Sequence, residues 1–193
     1  MRGDWVMFID DDMVWQPDQI GRLITVRAEE DLDVLGGLCF HRAPPHGPTM
    51  FMREEADRGA YNFLEKWGTD LVEVDATGMA FVVIHKRVFE MMAGHPMPPY
   101  EERRKYPPMP FFRWEGLLGE DLRFCQDAKK AGARVFVDTR NEIGHVAEIE
   151  IRHKHFLLEA INRPTETLAA RTALNTRMGL PTLTRAEAEE MLK

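Results

Sequence analysis

Five apolar residues, Trp5-Val6-Met7-Phe8-Ile9, run without a break into three carboxylates, Asp10-Asp11-Asp12. No other stretch limits the fold so strongly. The run lacks the alternation of a half-solvated strand, so it predicts a central strand buried on both faces. Three adjacent acids cannot follow it into a core, because unpaired buried charge is costly. The triplet therefore marks the surface end of the strand, and in open α/β sheets ligands bind beyond the carboxyl ends of the strands. If the backbone stays extended, Asp10 and Asp12 point one way and Asp11 the other. Such a pair suits a hard divalent cation such as Mg or Mn.

Further on, strands and helices alternate. Pro17 stands where a helix opens, and Ile20, Leu23 and Ile24 give it an apolar stripe that ends near Asp31. Residues 33–40 read as a second buried strand, with Gly36 and Gly37 allowing close backbone approach. Prolines 44, 45 and 48 make 41–59 a loop that names no chemistry. Strands are expected over 71–74 and 79–84, separated by Asp75-Ala76-Thr77-Gly78. A helix over 86–93 is closed by Gly94. Six prolines between 95 and 110 predict a surface loop able to fold over a site. Phe111 and Phe112 read as core. Gly119-Glu120-Asp121 opens a helix with Leu122, Cys125 and Ala128 inward and Gly132 as its cap, and a strand follows over 134–137. Beyond Glu148 two helical pieces flank Pro164, and Thr184 to Glu187 matches a capping box opening a last helix over 186–192. The expected division is a catalytic region over 1–150 and a helical extension over 151–193.

Composition narrows the partners. A net charge of −7 in 193 residues argues against binding a nucleic-acid backbone. No apolar run approaches the ~18 residues of a membrane span. Cys39 and Cys125 sit far apart in apolar settings and read as small core residues of a reducing compartment. The expected location is cytoplasmic, with room for a peripheral place at a membrane.

Four motifs fall in order: Asp10-x-Asp12 after a strand, Thr77-Gly78 before one, Gly119-Glu120-Asp121 opening a helix, and His145 after the next strand. Over residues 3–146 this order resembles the C-terminal part of the catalytic domain in the inverting, nucleotide-sugar-dependent GT-A glycosyltransferases. The resemblance implies an α/β, GT-A-like (Rossmann-like) mixed sheet with flanking helices. It implies Asp10, Asp12 and His145 as metal ligands for Mn or Mg. Asp121 becomes the catalytic base, with Glu120 beside it for acceptor binding or helix-end support. Asp11, Thr77, Gly78, Trp114 and Gly119 become candidates for donor or acceptor contacts, Trp114 as a platform for a sugar ring. The implied reaction passes a sugar from a nucleotide-sugar donor to an acceptor hydroxyl, with inversion. General chemistry agrees: an expelled diphosphate needs a cation beside it, and an attacking hydroxyl needs a base.

The departure lies at the beginning. Family members carry nucleotide-binding strands ahead of the aspartate motif, whereas only nine residues precede Asp10 here. An upstream region or a partner chain is expected to supply them. Two other classes fit the same acids: a nucleotidyltransferase of similar fold, and a truncated module that binds a partner without turnover.

Overall fold

Strand β1 (Trp5–Ile9) forms where the apolar run places it, yet it lies at the edge of its sheet. The computed structural model describes residues 3–54, 60–94, 111–114, 116, 118–147 and 150–193. Among these, β1 pairs only with β8 (Phe81–His85), antiparallel and in register from Trp5↔His85 to Ile9↔Phe81. The five-stranded sheet continues through β3 (Val34–Leu38), β9 (Val135–Glu142) and β6 (Leu71–Val74) in the order β1-β8-β3-β9-β6. Only β3 and β9 run parallel, so the sheet is mixed, as expected.

Both faces of the sheet are covered, because period-two alternation divides each strand between two apolar layers. Val34, Val82, Ile84, Val135 and Val137 join one layer with Val88, Phe89, Phe124, Cys125 and Ala128. Leu35, Phe81, Val83 and Phe136 join the other with Leu23 of α1 (Pro17–Glu29). Strand β1 obeys the same rule, Val6 and Phe8 packing to one side and Met7 and Ile9 to the other. The expectation of full burial fails for a different reason. The second edge of β1 carries no neighbouring strand among the described residues, so its side chains are half-buried and Trp5 is 39% exposed.

The helices on the first layer begin and end for local reasons. Helix α2 (Lys86–Ala93) is closed by Gly94 at φ 71°, a left-handed conformation that favours glycine. Helix α3 (Glu120–Lys130) starts at Gly119 and turns Phe124, Cys125 and Ala128 inward. Leu122, expected on the inner face, is only partly buried, and Phe124 takes the central place. Phe111 and Phe112 are packed as core residues should be, Phe112 stacking on Phe124 with centroids 4.6 Å apart. Cys39 and Cys125 are buried free thiols. The loop expected over 95–110 lies outside the described residues.

Short strands escaped the sequence pattern. Strands β4 (Met50–Arg53) and β5 (Tyr61–Phe63) lie within or just after the segment read as a loop, and β4 pairs with β7 (Ala76–Thr77). Strand β9 runs on past Val137 to Glu142, burying Asp138 completely. Its Oδ1 accepts from the Arg140 backbone and guanidinium, which compensates the charge. Gly36 and Gly37 are where close approach is needed. A Cβ on Gly37 would lie 2.8 Å from Ile143 Cγ1 and 3.1 Å from the Asn141 carbonyl.

The C-terminal helices α4 (His153–Asn162), α5 (Thr165–Met178) and α6 (Arg185–Met191) follow, and the Thr184–Glu187 capping box forms as expected. Phe156, Leu157, Ala160, Leu183 and Ala188 enter the same apolar layer as β3, β8 and β9. Among the described residues no helix is long and apolar enough to cross a membrane.

Candidate active site

At the end of β1 the backbone stops being extended, since Met13 N bonds Asp10 O at 3.3 Å and closes a turn. Strand alternation therefore does not set the directions of the carboxylates beyond Asp10. What sets them is a two-residue strand, β2 (Met13–Val14), paired with β10 (Gly144–Val146) so that Met13 faces His145. The Val146 amide donates to the Asp12 carbonyl at 2.7 Å and locks that register. As a result His145 Nε2 lies 3.2 Å from Asp12 Oδ2, across 133 residues of chain.

The imidazole is oriented from behind. His145 Nδ1 lies 2.8 Å from the Phe40 carbonyl, which can only accept, so Nδ1 is assigned the proton. In the neutral ring Nε2 then presents a lone pair on the side of Asp12. This is the arrangement in which a backbone carbonyl fixes the tautomer of a metal-ligating histidine. A third group shares the oxygen: Arg42 Nη1 stands 3.1 Å from Asp12 Oδ2. Asp10 lies at the surface with its amide bonded to the Ala80 carbonyl at 2.9 Å. Its carboxyl is held above the usual aspartate range by burial of its surroundings, then by Asp12, with His145 opposing and Asp11 and Glu120 adding. Asp11 is exposed. Asp12 and His145 thus meet directly, while Asp10 joins them through its field. Among the described residues no three His, Cys, Asp or Glu side chains stand ready-made around a metal position. The donor set of carboxylate oxygens and one imidazole nitrogen nevertheless fits Mn or Mg chemically.

A second group of residues forms next to the first. Asp121 Oδ2 accepts from the Met79 amide at 3.1 Å, and a Cβ placed on Gly78 would lie 3.8 Å from the same oxygen. Burial raises the Asp121 carboxyl above its ordinary range, the Met79 hydrogen bond opposes this, and Glu120 and Asp10 push it further up. Asp10 pushes the Asp121 carboxyl up and Glu120 does the same to Asp10, so the strand-end acids and the helix-start acids lie within reach of each other's charge. Glu120, half-buried in the first turn of α3, lies within its reach. Thr77 is fully buried, and Cys125 Sγ contacts its carbonyl at 3.6 Å, so what it offers the site is the path of the Gly78–Met79 backbone. Trp114 is 73% exposed, its ring against Gly119.

Arg42 and the Phe40 carbonyl stand against Asp12 and His145, a place to which the sequence pattern did not assign them. The available signal was a His41-Arg42 pair directly after a buried strand that ends on the same side of the sheet as the acids. A cavity of about 620 Å³ lies elsewhere, between Trp67, His153, Thr139 and α6, and none of the site acids lines it.

A crystal structure of A197 from STIV matches at 20% identity and a TM-score of 0.40, over 75% of this chain and 58% of that one. This chain therefore spans little more than half the length of that structure. No curated protein matches. The family model described as "Glycosyl transferase family 2" matches residues 1–112, which takes in Asp10, Asp12, Thr77 and Gly78 and stops short of Asp121 and His145. Since the match covers more than half of the sequence, the chain belongs to glycosyl transferase family 2.

Proposed function

We propose that the chain transfers a sugar from a nucleotide-sugar donor to an acceptor hydroxyl, with a divalent metal and with inversion. One observation carries this reading: the β2–β10 pairing brings Asp12 against His145 at the same end of the sheet as Asp10 and Asp121. Asp12, His145 and Asp10 would hold Mn or Mg. A metal held there supplies positive charge against the diphosphate as it leaves. Asp11, close to the strand end, and the Gly78–Gly119 surface are the donor-facing groups. Trp114 offers an exposed ring face to a sugar.

The protein's own part is proton transfer and positioning. The acceptor oxygen forms a bond to the anomeric carbon as the bond from that carbon to the diphosphate breaks. The hydroxyl proton passes to Asp121. The Met79 amide holds Oδ2, orienting the carboxylate and leaving its other oxygen for the proton. Glu120 supports the acceptor or the helix end. Residues 1–150 form the catalytic region in this reading, with 151–193 as an extension packed on its core. Two buried thiols agree with a cytoplasmic location.

Asp12→Ala tests the metal. Calorimetry of a nucleoside diphosphate with Mn should show binding to the unaltered chain and none to the variant, and equal affinity would overturn the assignment. Among the described residues no strand pairs with the second edge of β1, which supports a strand supplied by an upstream region or a partner chain. The 193-residue chain should accordingly self-associate in sedimentation, and a monomer that binds a nucleotide sugar tightly would refute that part.

A further inference from the structure

Asp12 Oδ2 has two nitrogen neighbours, His145 Nε2 at 3.2 Å and Arg42 Nη1 at 3.1 Å. In the neutral ring the first brings a lone pair towards an oxygen that also carries lone pairs. The second brings positive charge to the same place. The guanidinium thus stands where a cation is needed, and having five donors and no acceptor it can never be a metal ligand. A divalent ion taken by Oδ2 and Nε2 must displace it.

The loop that carries Arg42 allows such a displacement without unfolding. Its base is closed by the bond from His41 N to the Gly47 carbonyl at 3.0 Å and from Thr49 N to the Cys39 carbonyl at 2.9 Å. Phe40, two residues before Arg42, is fixed by its carbonyl on His145. The Arg42 side chain itself is 59% exposed, against 28% for Asp12 and 17% for His145. A long side chain on an anchored backbone can swing while its neighbours stay in place.

We infer that Arg42 is a surrogate cation that couples metal and diphosphate binding: it occupies Asp12 in the free protein and moves to the diphosphate when the metal arrives. The inference rests on the metal reading of Asp12 and His145. Beside a bare divalent ion the released guanidinium is repelled. Beside a metal–diphosphate it has phosphate oxygens that match its planar fork. Arg42 therefore weakens binding of the metal alone and strengthens binding of the metal with a diphosphate. By linkage, each ligand raises the affinity for the other.

The opposite signs make the test selective. Mn²⁺ alone, and inorganic pyrophosphate at saturating Mn²⁺, are titrated calorimetrically into the unaltered chain, Arg42→Ala, Arg42→Lys and Asp12→Ala. Removing an exposed ion-pair partner from Asp12 should tighten Mn²⁺ binding by roughly two- to fivefold in Arg42→Ala. The same variant should lose roughly tenfold or more in pyrophosphate affinity, the scale of a hydrogen bond to a charged group. Arg42→Lys should fall between, keeping the charge without the fork. If both affinities fall together, or neither moves while Asp12→Ala still abolishes binding, the coupling is wrong and the metal reading stands. If Asp12→Ala binds Mn²⁺ and pyrophosphate as the unaltered chain does, or the unaltered chain binds neither, both are overturned.

Discussion

Asp121→Asn is expected to leave binding of the nucleotide diphosphate intact and to remove most turnover, by about 10²–10⁴-fold, the usual contribution of a general base. The substitution keeps the acceptor for the Met79 amide, so the helix start and the Gly78 turn should survive. A pH profile makes the result specific. A general base works only when ionised, and the Asp121 carboxyl lies above the ordinary aspartate value of about 3.9, chiefly through burial. Turnover should therefore be low in acid and rise with pH through that elevated value, and the acid limb should vanish in the variant. A loss much smaller than a hundredfold, with the limb retained, would move the base to Glu120 or away from α3.

The second large effect concerns stability. Glu65 is fully buried and gathers the C-terminal segment. Its Oε1 takes Arg163 at 2.8 Å and Arg171 at 3.1 Å, while Oε2 takes the Leu183 amide at 2.9 Å and Asn175 at 3.4 Å. Arg163 is 6% exposed and Arg171 17%, and burial already lowers the pKa of the Arg171 guanidinium. Glu65→Gln keeps the volume but leaves two guanidinium groups without their counter-charge. Breaking a buried pair in this way costs about 3–5 kcal/mol. For a chain of this size that is a fall of roughly 6–20 °C in Tm. Thermal unfolding followed by circular dichroism reads it directly. A Tm within about 2 °C of the unaltered chain would mean that the apolar contacts of Phe156, Leu157, Leu183 and Ala188, and not Glu65, hold the tail in place.

Local physics determined much of this protein in advance. An apolar pentad followed by acids can only be a strand that ends at the surface, and Ile9 is indeed the last residue of β1. Pro17, Gly94, Gly119 and the Thr184–Glu187 box set helix limits through the backbone near them, and each does so in the fold. Asp10, Asp12 and Asp121 stood out as candidates because carboxylates at a strand end and a helix start contrast with an apolar background.

The tertiary structure decided what touches what. The apolar run predicted a central place for β1, whereas among the described residues it stands at the edge of the sheet, because strand order is set by pairing between distant segments. Strands β2 and β10 are two and three residues long, too short for any pattern to register, yet their pairing is what sets His145 on Asp12. Arg42 sits in a proline-rich stretch, and its place directly after a buried strand was its one signal. It matters only because the end of β3 and the turn after β1 converge, and convergence between segments far apart in sequence is a property of packing, where burial of the apolar layers outweighs every local preference.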